Sequence, residues 1–233
     1  SIEIFWMLIR GDILRRRVTI PEGYNLYQIA ERLEQNEIVK KDIFLRSAFD
    51  RAFLKSIGIN APSAEGYLFP DTYIFPEESN ARSVIQTMLG RLKYVLNQVD
   101  LSNMNRLNLT THTLLVMASL IEKEARKSFE RIYVSAVFHN RMKRGMKLDC
   151  DPTVRYAVKR FTGPIYYRDL QSTSPYNTYI QYGYPPTPIC SPGRASIVAA
   201  LNPKKTDFLF FVARNDGSHY FSRTNREHTR AVQ

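Results

Sequence analysis

The sequence predicts an α+β protein, and three observations carry that prediction. Apolar residues recur at helical spacing in several separate segments, a short alternating run stands near the start, and a strand-turn-strand pattern closes the chain. At 233 residues, with 44% hydrophobic and 24% charged composition, the chain is long enough to bury a sizeable core. One large domain or two smaller ones are both admissible.

Residues 1–17 read as an apolar segment, IFWMLI, followed by the basic run RGDILRRR, with Gly11-Asp12 as a turn between two extended pieces. The apolar piece stops at Arg10, far short of the roughly 18 to 20 residues of a membrane span, and it reads as the tail of a truncated N-terminal region. RGD here is most simply that turn. Val18 and Ile20 then alternate as a short strand, Pro21-Glu22-Gly23 turns the chain, and Ile29, Ala30 and Leu33 mark a helix within Tyr27 to Leu33. A second helix starts at Lys41. This strand, turn, helix, NEIV, helix order resembles a LysM-like module over residues 18–63, a small fold often used on N-acetylated glycans; a structural role for it here stands beside a binding one.

AEGYLFPDTYIFP, Ala64 to Pro76, suits an extended connection or short edge strands. A helix follows from about Ala81 to Val99, then a loop at Leu101 to Leu109. Thr110 or Thr111 is a candidate N-cap for the helix TLLVMASLIEKEAR. Arg131 to Lys143 forms the next helix, through Ile132, Val134, Val137, Phe138 and Met142. Loops are expected to dominate LDCDPTVRYA and STSPYNTYIQYGYPPTPICSPG, and a loop region this long inside a compact domain is usually functional. DFLFFVAR and HYFSR, joined through Asn215-Asp216-Gly217, complete the chain as a hairpin.

The net charge of +11 asks for an acidic partner: nucleic acid, anionic lipid or an anionic polymer. Two cysteines, Cys150 and Cys190, are too few for a disulfide scaffold, and the four histidines show no metal-binding spacing. Ser119 and Ser174 lack the settings of nucleophilic serines, and no glycine-rich phosphate loop occurs. Neither a metal nor an organic cofactor is expected.

Two carboxylates, Glu122 and Glu124, end the most apolar helix. They lie two residues apart and therefore on different faces, so at most one can point into a given cleft. A carboxyl held among apolar neighbours has its charged form disfavoured and its pKa raised toward that of a general acid. Periodicity does not separate the two, and a salt-bridged helix end using Glu122 and Arg126 is the plain alternative. Downstream, LDCDPTVRYA, SPYNTY, GYPPTPICSPG and HYFSRTNREH each combine aromatics with amides and hydroxyls, the mixture that grips sugars.

With ASLIEKEA and VTIPEG, these stretches resemble, in order and over nearly the whole chain, the YceG-like family of MltG-type endolytic murein transglycosylases. The resemblance implies a small LysM-like subdomain followed by a mixed α+β catalytic domain at 64–233. It implies a lyase that cuts MurNAc-GlcNAc bonds inside nascent peptidoglycan strands to leave 1,6-anhydro-MurNAc ends. The first glutamate of the E-K-E pair, Glu122, takes the role of acid and then base. Asp151, Thr153, Tyr176, Asn177, Thr178 and Tyr179 are implied as substrate-binding residues. It also implies a single-pass anchor in the plasma membrane through a segment absent from this chain, a domain facing the periplasm or outside, and cell-wall synthases as a further class of partner. Ser191 stands where the family commonly has Asn, and Cys150 where a small polar residue is expected. A non-catalytic glycan-binding module is the alternative function. A nucleic-acid-binding role has only the charge in its favour, since no nucleic-acid motif appears.

Overall fold

The computed structural model describes residues 14–232, so the Gly11-Asp12 turn and the IFWMLI segment lie outside the described residues. Strand β1 (Arg15–Thr19) pairs antiparallel with β2 (Thr72–Pro76), Val18 opposite Tyr73. Between them run helices α1 (Leu26–Gln35), α2 (Lys41–Ala48) and α3 (Arg51–Ser56). Alternation places Val18 inward along β1 and Tyr73 and Phe75 inward along β2, which covers the apolar faces of the helices. Asn25 caps α1, accepting from the Gln28 amide while the Gln28 side chain accepts from the Asn25 N–H. The strand that closes this small sheet comes from Thr72–Pro76, beyond the stretch 18–63.

A second helical layer follows: α4 (Ala81–Asn97), α5 (Asn103–Arg106), α6 (Thr111–Glu124) and, after a 3-10 turn at Ser128–Glu130, α7 (Arg131–Lys143). Thr110 is the N-cap of α6, its hydroxyl taking the Thr113 amide. From Leu114 to Ile121 every residue of α6 is buried, so this helix is enclosed on all sides. It packs against α7 and against α10 (Arg194–Leu201). One apolar cluster runs from Val18 in β1 to Leu201 in α10 without a break.

One expectation needs correction. LDCDPTVRYA is not a loop: Asp151–Ala157 forms α8, because Pro152 stands in the first turn, where a missing N–H costs nothing and its fixed φ suits the helix. A one-turn helix, α9 (Tyr167–Leu170), precedes SPYNTY, and α11 (Asn225–Val232) follows the hairpin of β3 (Phe210–Ala213) and β4 (His219–Ser222). The hairpin itself is as expected, its turn closed by Arg214 N–H to Ser218 O at 2.7 Å.

Glu65 ties the halves together. Its side chain is fully buried, and Oε2 accepts from the Leu26 amide at 3.0 Å and from the Tyr156 hydroxyl at 2.9 Å. Burial raises its pKa to about 7, with those two hydrogen bonds opposing. Next to it Gly66 has φ +77, and a β-carbon there would overlap Pro188. The raised folded-state pKa of Glu65 means that its contribution to stability is complete below the unfolded value near 4.5 and falls as pH rises through about 7. Glu65→Gln is therefore expected to flatten the pH dependence of the melting temperature between those values, as measured by circular dichroism melts; an unchanged slope would place the titration elsewhere.

Candidate active site

α6 delivers two carboxyls into different surroundings. Glu122, its side chain 7% exposed, accepts from the Gly193 amide at 2.9 Å through Oε2 and lies 3.5 Å from Arg131 Nη2 through Oε1. Arg131 is held by Ser196, Nε to Oγ at 3.1 Å. The carboxyl of Glu22, from the PEG turn, seats directly on Gly193, where a β-carbon would overlap it. Partial burial, then the charge of Glu122, push Glu22 upward in pKa, while Arg131 pulls it back. Glu122, Glu22, Arg131 and Gly193 thus form one ionic junction.

Glu124 ends α6 on another face. Its Oε1 accepts from the Cys150 thiol at 3.2 Å. Burial, and then the Asp151 charge, raise its pKa to about 7, opposed by the thiol hydrogen bond and by Arg126. The carbonyl end of a helix adds a partial negative charge at the same place. Of the two carboxyls, the one within ion-pair distance of a guanidinium is Glu122, because Arg131 reaches back from the start of α7.

Two of the downstream motifs, LDCDPTVRYA and SPYNTY, meet beside Glu124. Asp151 is exposed at the first turn of α8, and its Oδ1 accepts from the Tyr179 hydroxyl at 2.6 Å. Asp151 sits inside the helix, with Cys150 as N-cap. Thr153, Asn177 and Thr178 are buried at 0%, 0% and 1% exposure, out of reach of a glycan. The Thr153 hydroxyl donates to Cys150 O at 2.6 Å and meets Thr178 Oγ1 at 2.9 Å, and Thr178 Oγ1 accepts from the Cys150 amide at 3.0 Å. Asn177 clamps its own loop, donating to Leu170 O and Ser172 O at 2.8 Å each. Tyr176 bonds Thr187 at 2.8 Å and packs 4.8 Å from the Tyr156 ring. Of the six residues expected to bind substrate, Asp151 and Tyr179 form the polar pair beside the carboxyl, and three of the other four hold it up from behind.

Sequence reasoning missed Glu22, Arg131, Gly193 and the thiol of Cys150 as site members. Their signal lies in pairing across long separations. The PEGY turn and the CSPG loop exchange two backbone bonds, Gly23 N–H to Ser191 O at 2.8 Å and Ser191 N–H to Tyr24 O at 2.7 Å. Ser119 fixes the same loop from α6, accepting from the Ile189 amide at 3.1 Å. Between this seam and α8 opens a cleft of about 180 Å³ lined by Gln28, Lys123, Pro152, Arg155, Tyr156 and Phe161. Lys123, the residue between the two carboxyls, faces it. Stacking of Phe161 on Tyr27 at 5.7 Å supplies an aromatic wall. None of Glu122, Glu124, Asp151 and Tyr179 lines this cleft; a shielded acid beside a carboxylate-phenol pair suits proton transfer to a sugar oxygen.

The YceG-like family model matches residues 1–233. An endolytic murein transglycosylase of Bacillus subtilis (strain 168) is 35% identical over 232 residues, which is 93% of this chain and 64% of that protein. One from Streptococcus pneumoniae (strain R6) is 34% identical over 92% of this chain and 44% of its own length. The chain thus spans between 44% and 64% of these two curated relatives. A crystal structure of a yceG-like protein from Listeria monocytogenes superposes with a TM-score of 0.85 at 34% identity, covering 98% of this chain and 80% of that one.

Thr178→Val leaves the buried Cys150 amide without its acceptor. It is expected to cost about 1–3 kcal/mol in chemical denaturation, with no change in substrate KM at temperatures where the variant is folded. A raised KM with unchanged stability would return Thr178 to the substrate.

Proposed function

This chain belongs to the YceG-like family, and from that membership we propose that it is an endolytic murein transglycosylase acting on peptidoglycan glycan strands. The observation that carries the reading is the half-shielded carboxyl of Glu124, pushed to about 7 and set beside the Asp151–Tyr179 pair. An acid of that pKa is partly protonated at neutral pH and is a strong enough base once it has given its proton up.

In the proposed reaction the Glu124 carboxyl donates its proton to the glycosidic oxygen between MurNAc and GlcNAc as the C1–O bond breaks. The resulting carboxylate then takes the proton of the MurNAc 6-hydroxyl, whose oxygen closes on C1 to give the 1,6-anhydro ring. The proton returns to its origin and no water is consumed. Intramolecular attack supplies the nucleophile in place, so a second carboxylate in the manner of a hydrolase has no required task. Asp151, oriented by Tyr179, stands where charge develops on the sugar. The thiol of Cys150 donates to one Glu124 oxygen and leaves the other for the substrate.

The sequence reading gave the acid-base role to Glu122, and one observation still favours it: a second carboxyl, Glu22, adjoins it. Against it stand the Arg131 guanidinium and the Gly193 amide, which between them engage both oxygens of Glu122. Anchorage in the plasma membrane outside this segment, an outward-facing site and cell-wall synthases as partners complete the reading, on the strength of the resemblance.

Two variants separate the carboxyls. Purified Glu124→Gln is expected to abolish release of anhydro-MurNAc ends from uncrosslinked strands, read by mass spectrometry, while Glu122→Gln retains activity with lower stability. The opposite pattern returns the role to Glu122, and cleavage by both variants removes the mechanism. In the unmodified protein kcat/KM is expected to fall as pH rises past about 7, the pH at which the Glu124 proton is lost.

A further inference from the structure

At the other end of α6 lies a different kind of cleft, of about 700 Å³. It is bounded by the loop that precedes α6, the last turns of α7 and the loop after α10. Four cations line it, Arg106, Lys143, Lys204 and Lys205, and no carboxylate does. Among the described residues none of the four meets an acid within ion-pair distance, whereas Arg16, Arg46, Arg82, Arg91, Arg131, Arg141 and Arg160 all do. Four like charges on the solvent-exposed rim of one concave wall, with no acid among them, attract an anion.

The wall is built, not a chance meeting of side chains. Asn140 donates to Thr206 O at 2.8 Å and to Phe208 O at 2.9 Å, and the Lys204 amide donates to Ile132 O at 3.0 Å, so the loop bearing both lysines is pinned to α7. The hydroxyl of Thr206, also in the lining, is buried with no hydrogen-bond partner. His139 bonds Ala200 O at 2.8 Å through Nε2. Burial, then the charge of Arg106, push the His139 pKa down, so the ring stands neutral with a proton on that nitrogen.

We propose that this cleft is a binding site for a phosphate group, taken by Arg106, Lys143, Lys204 and Lys205, remote from the carboxyls at the other end of α6. Fourteen residues of helix put roughly 20 Å between the two ends. Phosphoryl oxygens suit the set better than a carboxylate does, because they offer more acceptors and more charge to cations converging from three separate elements. The phosphate comes either as a soluble anion or as the headgroup of an anionic lipid, and both present the same oxygens.

Binding of inorganic pyrophosphate by calorimetry, and of phosphatidylglycerol vesicles against phosphatidylcholine vesicles by co-sedimentation, tests the site at about 0.15 M salt, where diffuse surface attraction is largely screened. Three variants of the full chain accompany it: K204E/K205E, the milder R106Q/K143Q from the facing walls, and K40E/K55E as a charge-matched control on the exposed surface of the small subdomain. The expected result is a loss of about tenfold or more in affinity for both cleft variants and almost none for the control. Pyrophosphate binding with that pattern identifies a soluble anion, and vesicle binding alone identifies a headgroup. Equal loss in the control, or no binding of either probe by the unmodified chain, overturns the site.

Discussion

Enclosure of α6 is the constraint on which the rest of the structure depends. Eight consecutive buried residues, Leu114 to Ile121, leave no solvated face, so the other elements must surround the helix. Each large side chain so buried contributes about 1.5–3 kcal/mol, and the position of the helix is fixed far more firmly than any loop around it. Whatever chemistry its last turn carries is therefore held on rigid backbone. Ser119, the polar residue of the run, has its hydroxyl used twice, toward Val116 O and from the Ile189 amide, and so ties the CSPG loop to the same helix.

Two residues of separation at the end of such a helix divide two carboxyls chemically. One turns toward Arg131 and the Gly193 amide, which engage its two oxygens. The other is buried beside Asp151, and burial and that charge disfavour its ionised form against the hydrogen bond from the Cys150 thiol. Glutamate 22, carried on the turn between β1 and α1, belongs to the first environment, so the small N-terminal unit contributes to the surroundings of the helix end. That unit is joined to the rest by Glu65, by the Gly23–Ser191–Tyr24 backbone bonds and by the continuous apolar cluster. Ser191, in place of the family's common Asn, leaves a buried hydroxyl with no partner at this seam; nothing in the structure explains the exchange.

The charge of the chain is distributed unevenly. Around the carboxyls the cations are committed to partners, Arg131 to Glu122 and Lys123 Nζ to Gly23 O at 3.3 Å. At the opposite end of α6 four cations line one cleft with no acid within ion-pair distance of any of them among the described residues. Net charge by itself suggested only an acidic partner. Where the cations stand separates a region in which they are paired with carboxyls or carbonyls from a cleft in which no acid faces them.

Much of this was legible in the sequence for a physical reason: helix period, capping residues and turn chemistry are local. The α+β class, a threonine cap at Thr110 or Thr111, the helices at Ala81 and Arg131, the closing hairpin and the pair of carboxyls at the end of the most apolar helix follow from spacing alone. So does the conclusion that only one of Glu122 and Glu124 can enter a given cleft. What spacing does not contain is the identity of each neighbour across the fold. Arg131 lies nine residues from Glu122, Cys150 twenty-six from Glu124, and Glu22 a hundred from the helix it adjoins. Such distant groups and burial set a carboxyl's surroundings, so the different environments of the two glutamates belong to the tertiary structure. The same holds for Thr153, Asn177 and Thr178, whose hydrogen-bonding groups looked ready for a sugar and are spent inside the protein.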